Sequence, residues 1–315
     1  TNPTSISKTK VGYLLTGAAK NAVGDKIIFE INEAGTQLWQ ETVNKDLNLE
    51  ASTMTSEYVA SAVQLTESTY AFINTTSNLT ITGEANSWGG YPTTLDSRDH
   101  KISILDRSSE PAKISSHIIS NPENGSYDYL QKLILTDLGL YAAGRYISTS
   151  GSGAFLIRAN KDDGEVISHA FSTGTKDSIT NLIQLASGEL TVSYYSGATT
   201  TFASNANTSI NKLENTISHS IIAPAPNGGY FMAGKSRANT DKSIISLYNA
   251  DNQRIGSAHT FNSCFYNLNL KSVKYHPDYG LIALGTDQST SDNSSIYTVL
   301  FNITDDFKYL CPTTK

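Results

Sequence analysis

The sequence is poor in cysteine, tryptophan and charged residues. Only two Cys and two Trp occur among 315 residues, and 17% of the residues are charged. Lys and Arg are scattered along the chain rather than clustered, which argues against a surface for nucleic acid or anionic membranes. No apolar run approaches the roughly 18–20 residues that a membrane-spanning helix needs, so we expect no transmembrane segment.

Short catalytic motifs are also missing. The sequence contains no G-x-S-x-G nucleophile motif, no H-E-x-x-H zinc motif and no phosphate-binding loop. A pair of catalytic carboxylates would have to converge on one site, and no spacing in the chain indicates such a pair. These absences favour a non-catalytic protein and predict no cofactor and no metal.

One short apolar phrase, by contrast, recurs along the chain. It has an apolar strand pattern and ends in small residues. Its six copies are GYLLTG (12–17), TYAFIN (69–74), GLYAAG (139–144), GELTVSY (188–194), GYFMAG (229–234) and GLIALG (280–285). Repetition of one phrase along a chain is typical of folds that are built from repeated units.

Each copy of the phrase is the second strand, B, of a predicted four-stranded antiparallel unit, with strand A before it and strands C and D after it. A four-stranded unit cannot bury both faces alone, so neighbouring units must stack, as the blades of a β-propeller do. We therefore predict an all-β protein whose residues 1–315 form a single propeller domain of six four-stranded blades, with seven as the alternative. The predicted blades are approximately 5–46, 58–119, 128–173, 178–215, 216–262 and 268–312.

Two stretches leave the strand assignment open. In residues 196–227, either one strand of the fourth unit is missing or TTTFAS forms its strand C. In the first unit only SISKT precedes strand B, which makes its strand A doubtful. The Gly that ends strand B in four units is expected to permit close packing or a bend.

The first unit, GYLLTGAAKNAVGDKIIFEINEAGTQLWQETV (12–43), resembles the blade motif of secreted and cell-surface propellers common in Bacteroidota. Residues 228–261 carry the same pattern, with Tyr230, Gly234, Asp241 and Asn249. The resemblance implies an extracytoplasmic protein, secreted or at the cell surface or outer membrane. Many such proteins are lipoproteins held by an N-terminal Cys, so a lipid anchor would lie upstream of residue 1.

The long connections of the predicted propeller fall on one face, where the B–C and D–A loops lie. They span 44–58, 74–100, 120–128, 145–153, 235–242, 262–269 and 286–295. Long loops concentrated on one face mark that face as the working surface. Its candidate binding residues are Trp88, Tyr91, Arg98, Tyr127, Arg145 and Tyr146. An exposed Trp or Tyr can stack on a sugar ring or anchor a protein partner.

Four histidines and two cysteines suggest further sites. His117, His169, His219 and His259 recur at one position of the units, but strand D is the outermost strand, so these residues point apart and predict no metal site. If residues 216–222 are instead strand A of the fifth unit, His219 leaves the series.

The two cysteines lie at the D strands of adjacent units. Cys264 follows strand D of the fifth unit, and Cys311 lies in strand D of the sixth. Both strands run toward the same face, which allows a disulfide that would support an extracytoplasmic setting.

The favoured hypothesis is a non-catalytic surface propeller that binds a protein partner, as an accessory subunit of an outer-membrane assembly. The second hypothesis is a carbohydrate-binding surface protein that uses Trp88 and Tyr91. The third is a glycan-active enzyme with its site at the mouth of the central channel, because enzymatic propellers without a local motif exist.

Overall fold

The computed structural model describes most of the chain. It covers residues 2–18, 26–43, 47–48, 53–84, 87, 93–119, 129–148, 151–173, 179–205, 209–213, 217–236, 242–262, 269–277, 280–288 and 296–303. The described residues form 24 β-strands and contain no helix. They divide into two units, Thr1–His169 and Ala170–Lys315.

The first unit contains two antiparallel sheets and most of a third. Sheet one consists of β1 (Asn2–Lys8), β2 (Gly12–Ala18), β3 (Lys26–Asn32) and β4 (Gln37–Val43). Sheet two consists of β5 (Leu47–Asn48), β6 (Thr53–Gln64), β7 (Thr69–Ile81), β8 (Thr93–Asp106) and β9 (Lys113–Ile118). Sheet three consists of β10 (Tyr129–Thr136), β11 (Gly139–Ser148), β12 (Gly151–Ala159) and β13 (Val166–Thr173).

The second unit repeats this arrangement. Sheet four consists of β14 (Ile179–Gln184), β15 (Leu190–Tyr194), β16 (Thr199–Phe202) and β17 (Ser209–Leu213). Sheet five consists of β18 (Ile217–Pro224), β19 (Tyr230–Ser236), β20 (Lys242–Tyr248) and β21 (Arg254–Asn262). Sheet six consists of β22 (Asn269–His276), β23 (Gly280–Gln288) and β24 (Ile296–Ile303). Its expected fourth strand, 307–311, lies outside the described residues.

The structure settles both doubtful strand assignments. In sheet four TTTF is strand C, because β16 pairs with β15 on one side and with β17 on the other. In sheet one the residues around SISK form β1, which pairs with β2 from Asn2 to Lys8. His219 lies in β18, which is strand A of sheet five, so it leaves the predicted histidine series.

A β-bulge recurs at the same place in all six sheets. It interrupts strand A opposite the end of the repeated phrase. The shifts in register lie between Pro3/Ser5, Val59/Ser61, Leu130/Lys132, Ile179/Asn181, Ser218/Ile221 and Leu270/Ser272. Gly17, Gly144 and Gly285 pair with the residue at the shift, and Gly234 lies beside it. A bulge bends its strand, and glycine leaves room for that bend.

Within each unit the sheets pack face to face in chain order. One core joins Leu14 and Ile28 of sheet one to Phe72 and Leu105 of sheet two. Buried apolar residues of sheets two and three form a second core, and sheets four, five and six are joined in the same way. Alternate residues of each strand therefore serve opposite interfaces, and both faces of an inner sheet are apolar.

Side chains of strand A also join neighbouring sheets by hydrogen bonds. The Ser7 hydroxyl donates to the carbonyl oxygen of Ala62 over 2.8 Å. In the second unit the Asn181 amide donates to the carbonyl oxygen of Ile222 over 2.7 Å. After the bulge, pairing resumes at Ser61 in β6 and at Ile221 in β18, and the acceptor is the next residue in each strand. The two units therefore use the same contact position.

Gly197 gives the first prediction. This residue has φ of 90°, its N–H donates to the Tyr194 carbonyl, and an added Cβ would lie 1.4 Å from the Ile217 carbonyl oxygen. We expect Gly197→Ala to lower the free energy of unfolding by about 2–3 kcal/mol, from backbone strain and overpacking together. Urea denaturation followed by circular dichroism measures this loss.

The matched control is Gly35→Ala. Gly35 also has a positive φ, 81°, but nothing lies within 4 Å of its added Cβ. It should therefore lose only about 1 kcal/mol, the cost of the left-handed conformation. Equal losses in the two variants would show that the contact with the Ile217 carbonyl is not formed.

Candidate binding surface

The most distinctive feature of the described structure is an extension of sheet two. The prediction of irregular loops over 44–58 and 74–100 is wrong, because most of these residues are strands. The strands β6, β7 and β8 have 12, 13 and 14 residues, while no other described strand exceeds ten. We call residues 53–58, 75–81 and 93–99 the arm, and residues 82–92 connect β7 to β8 at its end.

Continuous strand pairing defines the arm. The register of β6 on β7 runs from Thr53↔Thr80 to Val59↔Asn74, and that of β7 on β8 from Ile81↔Thr93 to Asn74↔Lys101. Three cross-strand rows on one face are polar: Thr53/Thr80/Thr94, Thr55/Asn78/Ser97 and Glu57/Thr76/Asp99. The alternate rows are Met54/Leu79/Leu95, Ser56/Ser77/Arg98 and Tyr58/Thr75/His100. Cross-strand pairs of threonine and serine stabilise a sheet.

Buried hydrogen bonds hold the base of the arm. The Thr75 hydroxyl lies 2.9 Å from Nδ1 of His100, and both residues are buried. Nearby, the Ser103 hydroxyl donates to the Asn74 side-chain oxygen over 2.8 Å. Buried polar groups that are paired in this way fix the direction of the strands that carry them. The arm therefore leaves the sheet from a rigid base.

Three of the six predicted binding residues belong to described strands. Arg98 lies in the arm opposite Ser77, Arg145 pairs with Tyr129, and Tyr146 lies opposite Gly153. The Nε atom of Arg145 is buried and has no hydrogen-bond partner. The structure thus places these residues on two sheets, Arg98 on sheet two and the others on sheet three. Trp88, Tyr91 and Tyr127 lie outside the described residues.

Another predicted loop of the same face is also shorter than expected. Residues 145–153 form the end of a hairpin, since β11 and β12 pair up to Ser148↔Gly151. The connection 235–242 likewise starts inside β19, which ends at Ser236. Among the described residues the elaboration of this face is therefore concentrated in sheet two.

The opposite end of sheets one and two carries a buried polar cluster that sequence reasoning missed. Glu30 of β3 is 2% exposed, and its Oε2 atom accepts hydrogen bonds from Trp39 Nε1 over 2.6 Å and from the Tyr70 hydroxyl over 2.9 Å. Burial raises the pKa of Tyr70, and its hydrogen bond to Glu30 raises it further. A carboxylate inside the apolar run KIIFEIN is the only sequence signal of this cluster.

Arg107 covers the cluster on its outer side. Its guanidinium carbon lies 4.3 Å from the centre of the Trp39 ring, and its Nε lies 3.6 Å from an oxygen of Glu41. A planar cation stacked on indole is favourable, and more so when water is partly excluded. The Oε1 atom of Glu30 has no hydrogen-bond partner, so the cluster joins the two sheets without satisfying every buried polar atom.

A cleft of about 460 Å³ opens beside this cluster. It lies between the A–B turns of sheets one and two and is lined by Lys8, Thr9, Lys10, Gln64, Leu65, Thr66 and Glu67. Lys8 pairs with Glu33 and Lys10 with Glu67, each over 2.6 Å. Both ion pairs are exposed, so they contribute little to stability.

Tyr230 occupies the corresponding position in sheet five. Its hydroxyl donates to the Asn252 side-chain oxygen over 2.7 Å and lies 3.4 Å from the Thr199 hydroxyl of sheet four. Its ring stacks on Tyr248 at 5.3 Å. Burial raises the pKa of Tyr230 strongly. The tyrosine of the repeated phrase is thus a hydrogen-bonding group between adjacent sheets in both units.

The described residues contain no group of three or more His, Cys, Asp or Glu side chains that is placed to hold a metal ion. His117 and His169 lie on β9 and β13, the D strands of sheets two and three. In the part of the chain that the structure describes, no helix has the length and apolarity to cross a membrane. Cys264 and Cys311 lie outside this part.

Comparison with known proteins identifies the fold. A protein of unknown function from Bacteroides caccae matches with a TM-score of 0.52 at 12% identity, over 92% of this chain and 89% of that one. The Dos1 propeller matches with the same TM-score at 14% identity, over 90% of this chain. This chain spans 65% of the length of that Dos1 chain.

No family model matches the sequence, and no curated protein matches it. With repeated four-stranded sheets that stack in chain order, these structural likenesses define the class: the protein has the all-β, β-propeller fold. The prediction of the fold class is therefore confirmed.

Proposed function

We propose that this protein is a non-catalytic binding propeller that engages a protein partner through the arm of sheet two and the neighbouring B–C and D–A connections. The observation that supports the proposal is the arm itself. Three strands there continue beyond the length of every other described strand. The cross-strand rows of these three strands are largely polar in sequence.

The setting that we propose is extracytoplasmic, as the accessory subunit of an outer-membrane assembly. This part of the proposal follows from the resemblance to surface propellers of Bacteroidota. Fractionation of the native cells, with detection of the protein in the envelope or the medium, tests it directly. Recovery in the cytoplasmic fraction alone would contradict it.

Shortening the arm tests the binding surface. Replacing residues 79–96 with Asn-Gly would close a two-residue hairpin on the existing pair Asn78↔Ser97. We expect the shortened protein to keep its circular dichroism spectrum and unfolding midpoint and to lose capture of the partner in crosslinking from native membranes.

The matched control is Ala34→Asn. It creates the same Asn-Gly dipeptide, with Gly35, in the exposed turn between β3 and β4. This turn belongs to sheet one and is not part of the arm. This variant should capture the partner as well as the wild type does. Undiminished capture by the shortened protein would contradict a binding role for the arm.

A carbohydrate ligand is the second candidate, because Trp88 and Tyr91 fall in the connection between β7 and β8. Titration with a panel of soluble polysaccharides, followed by tryptophan fluorescence, distinguishes the two. A saturable change that disappears in Trp88→Phe would favour the glycan and would count against a purely protein-binding arm. A flat response across the panel would remove the carbohydrate candidate.

A further inference from the structure

Strand β9 forms the outer edge of sheet two. It is the last strand in the order of that sheet, and it pairs with β8 along its whole length, Lys113–Ile118. Five of its six side chains are exposed, and His117 is half-buried. Among the described residues no strand pairs with the other side of β9. Its outward N–H and C=O groups are therefore a template for a further strand.

Strand β9 lacks the protection that edge strands commonly have. Bulges and charged side chains normally keep an edge from pairing with another chain. The D strands β4, β17 and β21 each contain extra residues at a register shift, and such a bulge bends the strand. The pairing of β9 with β8 has no register shift. Its sequence, KISSHI, contains no acidic residue and a single lysine, Lys113, at its start.

The hydrogen bonds to β8 determine which residues of β9 face outward. The Ile119 N–H donates to the His100 carbonyl oxygen over 2.8 Å. In an antiparallel ladder hydrogen-bonded and non-hydrogen-bonded pairs alternate. Because the register continues without a shift, Ile114, Ser116 and Ile118 stand in the non-hydrogen-bonded pairs with β8. These three residues therefore present both their N–H and their C=O groups to the open edge.

The three outward-facing residues have the same order in both directions, Ile-Ser-Ile. Their side chains lie on one face of the sheet, since alternate residues of a strand share a face. Ile114 is 49% exposed and Ile118 is 59% exposed, although both are apolar. The Ser116 hydroxyl lies between them, 2.7 Å from the hydroxyl of Ser103 in β8. In an antiparallel pair such an edge is complementary to a second copy of itself.

One two-fold register satisfies both the backbone and the side chains. With the axis at Ser116, this residue pairs with its own copy, and Ile114 of each copy lies opposite Ile118 of the other. Each of these pairs exchanges two backbone hydrogen bonds. A shift of the axis by one residue would bring together residues whose N–H and C=O groups already bond to β8. With the axis at Ser116, Lys113 lies opposite Ile119, so no like charges meet.

We infer that the outer edge of β9, Lys113–Ile118, is a self-association site that takes the same edge of a second copy of this chain. The two five-stranded sheets then join into one sheet across the axis. The site is independent of the proposed partner surface, because β9 pairs with Lys101–Asp106, the part of β8 that follows the arm.

Removal of one backbone donor tests the pairing on the full chain. Sedimentation equilibrium of the wild-type protein between about 1 and 100 µM should show a monomer–dimer equilibrium. Ser116→Pro removes the N–H at the axis from both copies and leaves the bonds to β8 in place. We expect it to weaken the dimer about 30- to 100-fold, because two central hydrogen bonds are lost and the proline ring stands in their place.

The matched control is Ser116→Ala, which also loses the hydroxyl near Ser103 but keeps the backbone N–H. Both variants should keep the circular dichroism spectrum of the wild type, and Ser116→Ala should dimerise within about threefold of it. A wild-type monomer throughout the concentration range, or a Ser116→Pro dimer as tight as that of Ser116→Ala, would overturn the inference.

Opposite charges test the register. Ile114→Lys and Ile118→Glu should each weaken the dimer about tenfold or more, since each places two charges opposite isoleucine. The double variant Ile114→Lys/Ile118→Glu forms two reciprocal opposite-charge pairs across the axis and should bind about tenfold more tightly than either single variant. Within one copy the two positions are about 13 Å apart, so the gain can come only from the second copy. A double variant as weak as the single ones would rule out pairing about Ser116.

Discussion

Trp39→Ala lowers the free energy of unfolding by about 4–5 kcal/mol, at the upper end of the range for removing a buried tryptophan. Trp39 is 8% exposed and packs between sheets one and two. Its ring lies 4.7 Å from that of Tyr70, and Arg107 also stacks on it. The substitution therefore opens a cavity and removes a donor from buried Glu30 at the same time.

The loss of the donor can be measured separately. Trp39→Phe keeps an aromatic ring but removes the N–H that bonds to Glu30 over 2.6 Å. Removing one partner of a buried hydrogen bond costs about 1–3 kcal/mol, so we expect a loss in this range for the phenylalanine variant. The difference between the two variants is then the contribution of packing.

Urea denaturation followed by far-ultraviolet circular dichroism provides the measurement, since it does not depend on the fluorescence of the residue that is changed. Leu38→Ala is the matched control, because Leu38 is the preceding residue of β4 and is 48% exposed. It should change the free energy of unfolding by less than about 0.5 kcal/mol. A loss below about 1 kcal/mol in Trp39→Ala would show that the cluster does not hold sheets one and two together.

Much of the fold can be predicted from the repeated phrase, because its apolar residues are the ones that become buried between sheets. The phrase predicts strand B of every sheet, since its residues, such as Leu14 and Met232, face a neighbouring sheet. The same signal explains why TTTF is doubtful from sequence. Its residues are buried, yet threonine is typical of both strands and loops, and only the pairing with β15 and β17 decides between them.

The arm resembles loops in sequence for a related physical reason. Residues such as Thr55, Ser77 and Ser97 lie in paired strands, but their sequence has no apolar alternation. Cross-strand pairing depends on residues far apart in sequence, which a local pattern does not record. The role of buried Glu30 is hidden likewise, because its donors Trp39 and Tyr70 belong to other strands.

The structure describes three of the six residues predicted for the working face, Arg98, Arg145 and Tyr146. Arg98 and Arg145 are candidates from sequence because they stand in long predicted connections, and both prove to be strand residues. The structure gives Arg98 a defined register, opposite Ser77 of β7. For Trp88, Tyr91 and Tyr127 the assignment to a binding surface stays a prediction.

We expect the folded protein to lose stability above pH 10, because buried tyrosines such as Tyr70 and Tyr230 are held in their neutral form. Burial raises the pKa values of Tyr70 and Tyr230 above the usual value of about 10. The folded state therefore keeps these protons at a pH where the unfolded chain has released them. Their contribution to stability is complete below pH 10 and is lost as the pH rises through the folded pKa values.

Each such tyrosine steepens the decline by up to about 1.4 kcal/mol per pH unit over the range between its pKa in the unfolded chain and its higher pKa in the folded protein. Urea denaturation at pH 8, 10, 11 and 12 measures the slope. Tyr230→Phe should start from a lower stability at pH 8, since Asn252 loses its donor, and should then decline less steeply than the wild type. Phe231→Leu, in the same strand, should lower stability equally at every pH because it removes no titrating group. If Tyr230→Phe and the wild type declined in parallel, the buried hydroxyl between sheets four and five would not be what limits stability in alkali.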